Sequence, residues 1–141
     1  MILDYCGVQD ALLDKDFEDQ VRQGIEGLGY KIKEEDEPLL GFMVADASQD
    51  LLDRTNQSFL PAGLKTYLVK MIIGRFYIQK VRTVGMDSDF NFQKAVVSIE
   101  EGGDRVTFDE STGVEDKFMA YMTQYAGGGD DRWVHYRRLT W

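Results

Sequence analysis

The chain is 141 residues long, with 43% hydrophobic and 12% aromatic residues, enough apolar material for one domain with its own core and too much for a disordered segment. Its 16 Lys and Arg stand against 25 Asp and Glu, a formal net charge of −9, a balance that repels the nucleic-acid backbone and disfavours a basic DNA-binding module. Residues 1–60 hold 14 acids and 5 bases and residues 61–141 hold 11 of each, so an acidic, solvated first part precedes a neutral remainder better suited to contacts, although charged helical faces ordinarily just face water.

The opening "MILDYCGVQD" has no basic n-region, and no stretch approaches the roughly 18 apolar residues of a membrane span. Cys6 is the sole cysteine, so no intrachain disulfide forms, and the expectation is a soluble, unexported chain made in a reducing cytoplasm. Residues 3–13 read as a short helical turn broken at Gly7. From Asp14 onward Phe17, Val21, Ile25 and Leu28 recur at helical spacing before Gly29, which predicts a helix over about 14–28. After the polar connector "KIKEEDEP", Asp36 is a candidate cap for a helix over about 38–56 with Leu40, Met43, Val44, Ala47 and Leu51 on one face and Pro38 in its first turn.

The turn "NQSFLP" leads to Pro61, which suits the first position of a third helix over about 61–82. That helix carries Leu64, Tyr67, Leu68, Met71, Ile72, Ile73, Phe76, Tyr77 and Ile78, apolar well beyond a single stripe, and is expected at the centre of the fold. Gly74 within it costs about 1 kcal/mol against Ala, offset where another backbone packs closely. "VVSIEEGGDRVTF" then reads as a β-hairpin over about 94–108, with Gly102-Gly103 as the turn. Its register sets Ile99 opposite Val106 and Val97 opposite Phe108 on one apolar face, with a favourable Glu100–Arg105 pair and a mildly repulsive Glu101–Asp104 pair. Thr112 and Glu115 form a candidate capping box for a helix over about 113–125, "GGG" at 127–129 frees the chain, and an aromatic, basic tail occupies 130–141.

Catalytic chemistry is weakly represented. Cys6 and His135 lie at opposite ends of the chain without a local signature. "EEDE" at 34–37 and "DSD" at 87–89 lack the spacing and turn glycine of a calcium loop, and "GGGDD" lacks the lysine and hydroxyl of a phosphate loop. The expectation is no catalytic residue, no metal and no cofactor. Contact chemistry is concentrated instead at the C-terminal end, where Trp133, Tyr136, Arg137, Arg138 and Trp141 fall within nine residues and belong to the types that dominate binding hot spots. For Trp133 and Tyr136 closure of the chain's own core explains the pattern equally well. Arg137, Arg138 and Trp141 point to a partner.

Together, "LGYKIKEEDEPLLGFMVADASQDLLDRTN" at 28–56, "LPAGLKTYLVKMIIGRFYIQK" at 60–80, "AVVSIEEGGDRVTF" at 95–108 and "YRRLTW" at 136–141 resemble the head–tail connector (adaptor) proteins of tailed bacteriophages infecting Gram-positive bacteria. The chain departs from that pattern in carrying two glycines, Gly102 and Gly103, before Asp104. The resemblance implies a mainly α single domain over 1–141, a bundle of three to five helices with one inserted β-hairpin and a C-terminal tail. It also implies a non-enzymatic virion protein at the head–tail junction, assembled in the bacterial cytoplasm. Such proteins form a homo-oligomeric ring, commonly of twelve copies, between the portal protein and a stopper or tail-completion protein, with double-stranded DNA passing through the channel and no membrane involved. On this reading Val97, Ile99, Val106 and Phe108 of the ribbon and Tyr136, Arg137, Arg138 and Trp141 of the tail are the protein-interface residues. A small acidic regulatory or inhibitory interaction module, phage- or host-encoded, is the alternative, and a small enzyme with an unrecognised site is a weaker one.

Overall fold

Asp14 opens the first long helix as a cap. Its carboxylate accepts the Phe17 N–H at 2.9 Å, and Phe17, Val21 and Ile25 follow on the buried face of α1 (Lys15–Gly27). The computed structural model describes residues 1–86, 88–128 and 130–139; Asp87, Gly129, Thr140 and Trp141 lie outside them. Ahead of α1, a 3₁₀ turn at Ile2–Tyr5 lies against α2.

In α2 (Glu37–Thr55) the face formed by Leu40, Met43, Val44, Ala47 and Leu51 is buried as the spacing predicts. Asp36 stands at the N-cap position, but its side chain makes no capping bond. Its carboxylate instead accepts from the Tyr30 hydroxyl at 2.6 Å, the Lys33 N–H at 2.9 Å and Lys80 Nζ at 3.0 Å. Burial disfavours the charged form of Asp36, yet the Tyr30, Lys33 and Lys80 donors outweigh it and hold the pKa below the ordinary carboxylate value.

Pro61 does not begin the third helix. It has ψ 130 and precedes a 3₁₀ turn at Ala62–Leu64, and α3 runs from there as Lys65–Thr83. α3 buries Tyr67, Leu68, Met71, Ile72, Ile73, Phe76 and Tyr77 and packs against α1, α2 and, most extensively, α5. It is the central helix that its apolar breadth implies. Gly74 is where α5 comes closest, since a Cβ there would lie 2.5 Å from Met122 O and 2.8 Å from Tyr125 C. These are backbone atoms and have no room to give.

The hairpin expected over 94–108 is not formed, and no strand occurs among the described residues. Residues Phe92–Glu101 are a helix, α4. Asn91 caps it, its side-chain oxygen accepting the Lys94 N–H at 3.0 Å, and Ala95, Val96 and Ile99 are buried at helical spacing while Val97 faces out. A strand would have put Val97 and Ile99 on the same side. The glycine pair closes this helix: Gly102 N–H donates to Ser98 O and Gly103 N–H to Glu100 O, both at 3.1 Å, with Gly103 at φ 101, the left-handed conformation common after a helix C-terminus.

The expected capping box at Thr112 is also absent, because Gly113 is the N-cap of α5 (Val114–Ala126) and makes no side-chain cap bond. α4 packs on α5. Phe90, Phe92 and Phe118 form a triangle of edge-on rings with centroids 4.9 to 5.6 Å apart, joined to α3 through Tyr77, 5.2 Å from Phe118. Five α-helices thus make an all-α bundle among the described residues, and no helix there is long and apolar enough to cross a membrane.

Gly74→Ala is expected to lower stability by about 3 kcal/mol, at the upper end of overpacking costs. Gly24→Ala, whose Cβ would meet only the movable Ile73 side chain, should cost far less. Denaturant melts of the two variants check this. Asp36 adds a pH term: with its folded pKa depressed, its contribution is complete above the ordinary value of 3.8 and is lost as pH falls through the lower folded value. Asp36→Asn should therefore be less stable than the parent at neutral pH and lose less on acidification, read from urea melts across the acid range.

Candidate functional site

The tail begins where α5 ends, and that end is gripped by arginines from two other helices. Arg75 Nε donates to Ala126 O at 3.2 Å, while its two terminal nitrogens reach Asp46 Oδ2 at 2.9 Å and Asp50 Oδ2 at 2.6 Å on α2. Arg54 pairs with the same Asp50 at 3.0 Å and places Nη1 3.4 Å from Gly127 O. The Tyr67 hydroxyl sits 2.8 Å from Gly127 O and 3.0 Å from Asp130 O. Burial raises the Tyr67 pKa, which keeps this hydroxyl a donor.

The following residues fold back as a strap over the C-terminal end of α2. A 3₁₀ turn at Arg132–Tyr136 packs on α2, with the Arg54 guanidinium 6.0 Å from the Trp133 ring centroid. Asn56 closes α2 in the left-handed conformation at φ 53. That conformation suits asparagine and leaves the helix end open to an outside donor. Arg138 N–H donates to Thr55 O at 2.6 Å, Asn56 Nδ2 to Arg138 O at 3.1 Å, and Gln57 Nε2 to Tyr136 O at 2.9 Å. The Tyr136 ring lies flush on the backbone at Gly63, where a Cβ would come within 2.7 Å of its Cζ.

This arrangement turns backbone and aromatic rings inward and cations outward. Trp133 and Tyr136 are half-buried against the core, whereas Arg137 and Arg138 are exposed and their side chains make no ion pair among the described residues. Leu139 is 60% exposed beside them. Trp141 lies outside the described residues.

The four residues assigned to a ribbon are not gathered on one face. Ile99 is buried, Val97 is exposed on the opposite side of α4, and Val106 and Phe108 belong to the segment between α4 and α5. Phe108 packs on Tyr121 with ring centroids 5.6 Å apart, and Val106 is partly exposed. The two sets of expected interface residues therefore lie on different parts of the molecule, one along α4 and α5 and the other at the end of α2. The residues that receive the strap, Arg54, Asn56, Gln57, Gly63 and Tyr67, were not singled out by the sequence. Prior signals exist only for Asn56 and Gln57, which belong to the turn "NQSFLP", and for Tyr67 as an apolar residue of the third helix; none marks a docking place. Compared with protein-family models, curated proteins and solved structures, the chain matches none.

Removing two of the amide anchors without disturbing the backbone should loosen the strap. Asn56→Gly, which keeps the left-handed conformation, combined with Gln57→Ala is expected to remove about 2 kcal/mol of closure. That raises the open fraction roughly thirty-fold. The readout is the rate of tryptic cleavage after Arg132 and Arg137 under native conditions, which tracks local opening.

Proposed function

We propose that this chain is a structural assembly subunit of the head–tail connector type, a non-enzymatic virion protein that forms a ring under the portal vertex and carries the genome channel toward a stopper or tail-completion protein. The observation that carries the reading is the strap. It presents Arg137 and Arg138 outward with no ion pair among the described residues, next to the exposed Leu139. Arg combined with apolar side chains is the composition of an interface hot spot.

The way the strap is attached also favours this role. A few hydrogen bonds hold it, from two side-chain amides, the Tyr67 hydroxyl and the Arg138 N–H, each worth about 1 kcal/mol, beside the half-buried Trp133 and Tyr136, so it can exchange its own helix end for a partner. The surplus of acid fits a channel protein, because a wall that bound polyphosphate tightly would retard DNA passage. In this role the functional place of the chain is the virion neck, its partners are further copies of itself and the two flanking rings, and it needs no cofactor.

The test is assembly with the cognate portal, imaged by electron microscopy and followed by co-sedimentation. The parent chain is expected to form rings on the portal. Arg137→Glu with Arg138→Glu should keep the helical circular-dichroism spectrum and the melting temperature while weakening portal binding at least a hundred-fold, as loss of two hot-spot arginines implies. A parent chain that shows no affinity for the portal overturns the reading.

A further inference from the structure

The segment between α4 and α5, which carries Val106 and Phe108, has a peculiarity that the strap does not share. Residues 104–109 carry no helix, turn or bridge, and neither Arg105, Val106 nor Thr107 makes a main-chain to main-chain hydrogen bond among the described residues. The segment is nonetheless held in place. The Tyr121 hydroxyl accepts the Val106 N–H at 3.2 Å and donates to Glu100 Oε2 at 2.9 Å. The Tyr125 hydroxyl donates to Asp104 Oδ2 at 2.7 Å, and Phe108 rests on the Tyr121 ring.

In extended chain the backbone groups of successive residues point to opposite edges. Val106 N–H is turned toward Tyr121, while Arg105 and Thr107 are exposed and their N–H and C=O groups have no main-chain partner among the described residues. Exposed backbone with free N–H and C=O groups, carrying β-branched and aromatic residues, can be recruited into strand pairing.

What would pair with it is written in the segment itself. Set antiparallel to its own copy and centred on Thr107, "RVTFD" is self-complementary. Thr107 meets Thr107, Val106 meets Phe108 twice, and Arg105 meets Asp109 twice. The next pair outward, Asp104 with Glu110, is unfavourable, but Asp104 is already offset by Lys70 Nζ at 3.6 Å. We infer that two copies of this chain associate through residues 105–109 as a two-fold antiparallel pair of strands, each backed by α5 of its own subunit. Such a contact is isologous, with the same patch on both sides. It differs in kind from the head-to-tail contacts that close a ring, so it stands independently of the proposed assembly role.

The symmetry supplies the test, by sedimentation of the full chain over a range of concentrations. The parent should show a reversible monomer–dimer equilibrium. Arg105→Glu alone places Glu against Asp109 at both ends, and Asp109→Arg alone places Arg against Arg105 at both ends. Each should weaken dimerisation about tenfold. The double variant, Arg105→Glu with Asp109→Arg, restores opposite charges and should recover the parent's affinity, and an equimolar mixture of the two single variants should form a heterodimer. Circular dichroism and thermal melts of each variant confirm that the monomer is folded. A parent chain that stays monomeric throughout overturns the inference. So do folded single variants that dimerise like the parent, and so does a double variant no better than the singles.

Discussion

The contact on which the rest of the molecule depends is the backbone-to-backbone approach of α3 and α5 at Gly74. With no side chain at that position, Met122 O, Tyr125 and Ala126 N come against α3 directly, at a separation that any Cβ would prevent. The next residue exploits the approach, because Arg75 reaches the carbonyl at the end of α5 and two carboxylates of α2 at once. Three helices are thereby fixed at one level. The direction in which the chain leaves α5 follows from this, and with it the path of the strap to Thr55. A helix-interior glycine, unfavourable in isolation, thus sets the geometry at the far end of the chain.

What the sequence made legible follows from how local each signal is. The apolar faces of α1, α2 and α3 are read directly from spacing, since Phe17, Val21 and Ile25 or Leu40, Val44 and Leu51 repeat on one side and are buried there. Caps are less legible. Asp36 has the right type and place, but a tyrosine hydroxyl and a lysine from elsewhere in the chain compete for the same carboxylate, and no local rule contains them. The segment at 92–101 fails for a different reason. Val96, Val97 and Ile99 favour strands by type, and two glycines fit a hairpin turn, yet Asn91 at the start and Gln93, Lys94, Glu100 and Glu101 within the segment are compatible with a capped helix. The decision is made by tertiary packing, in which α4 lies on α5 and buries Ala95, Val96 and Ile99; such burial overrides a β preference of this size. The same glycines serve in both readings, as a hairpin turn or as a helix stop, so they cannot discriminate.

The candidate interaction site was legible only in part, and along the same line. Arg137 and Arg138 are exposed as their chemistry suggests, and Tyr136 and Trp133 turn inward as expected of a tail that closes its own core. The receiving side could not be read, because Gln57, Asn56 and Gly63 are ordinary turn residues until the tail is laid across them. The strap and the segment at 104–109 share a mode of attachment that the helices lack. Both are held chiefly by side-chain hydroxyls, amides and single rings on otherwise polar surface. Segments with few buried apolar contacts open at lower free energy than the core. These two segments are accordingly the ones that the proposed assembly and pairing would draw on.

The distribution of charge is better understood from the contacts than from the total. The acids concentrated in residues 1–60 are in large part internal acceptors. Glu18 is buried and accepts the Leu3 N–H at 2.9 Å, Asp10 accepts the N–H groups of Leu12 at 2.9 Å and Leu60 at 2.8 Å, and Asp36, Asp46, Asp50 and Glu37 each meet a cation. Arg22 joins Glu18 of its own helix to Glu37 of the next. Hydrogen bonding to charged groups is stronger than between neutral ones, so these carboxylates organise the loops and helix ends of the first half. The formal charge of −9 therefore does not describe an evenly acidic surface. Among the described residues Arg137 and Arg138 are adjacent exposed cations without an ion pair, as are Lys15, Lys31, Arg82, Lys94 and Arg105 elsewhere on the surface.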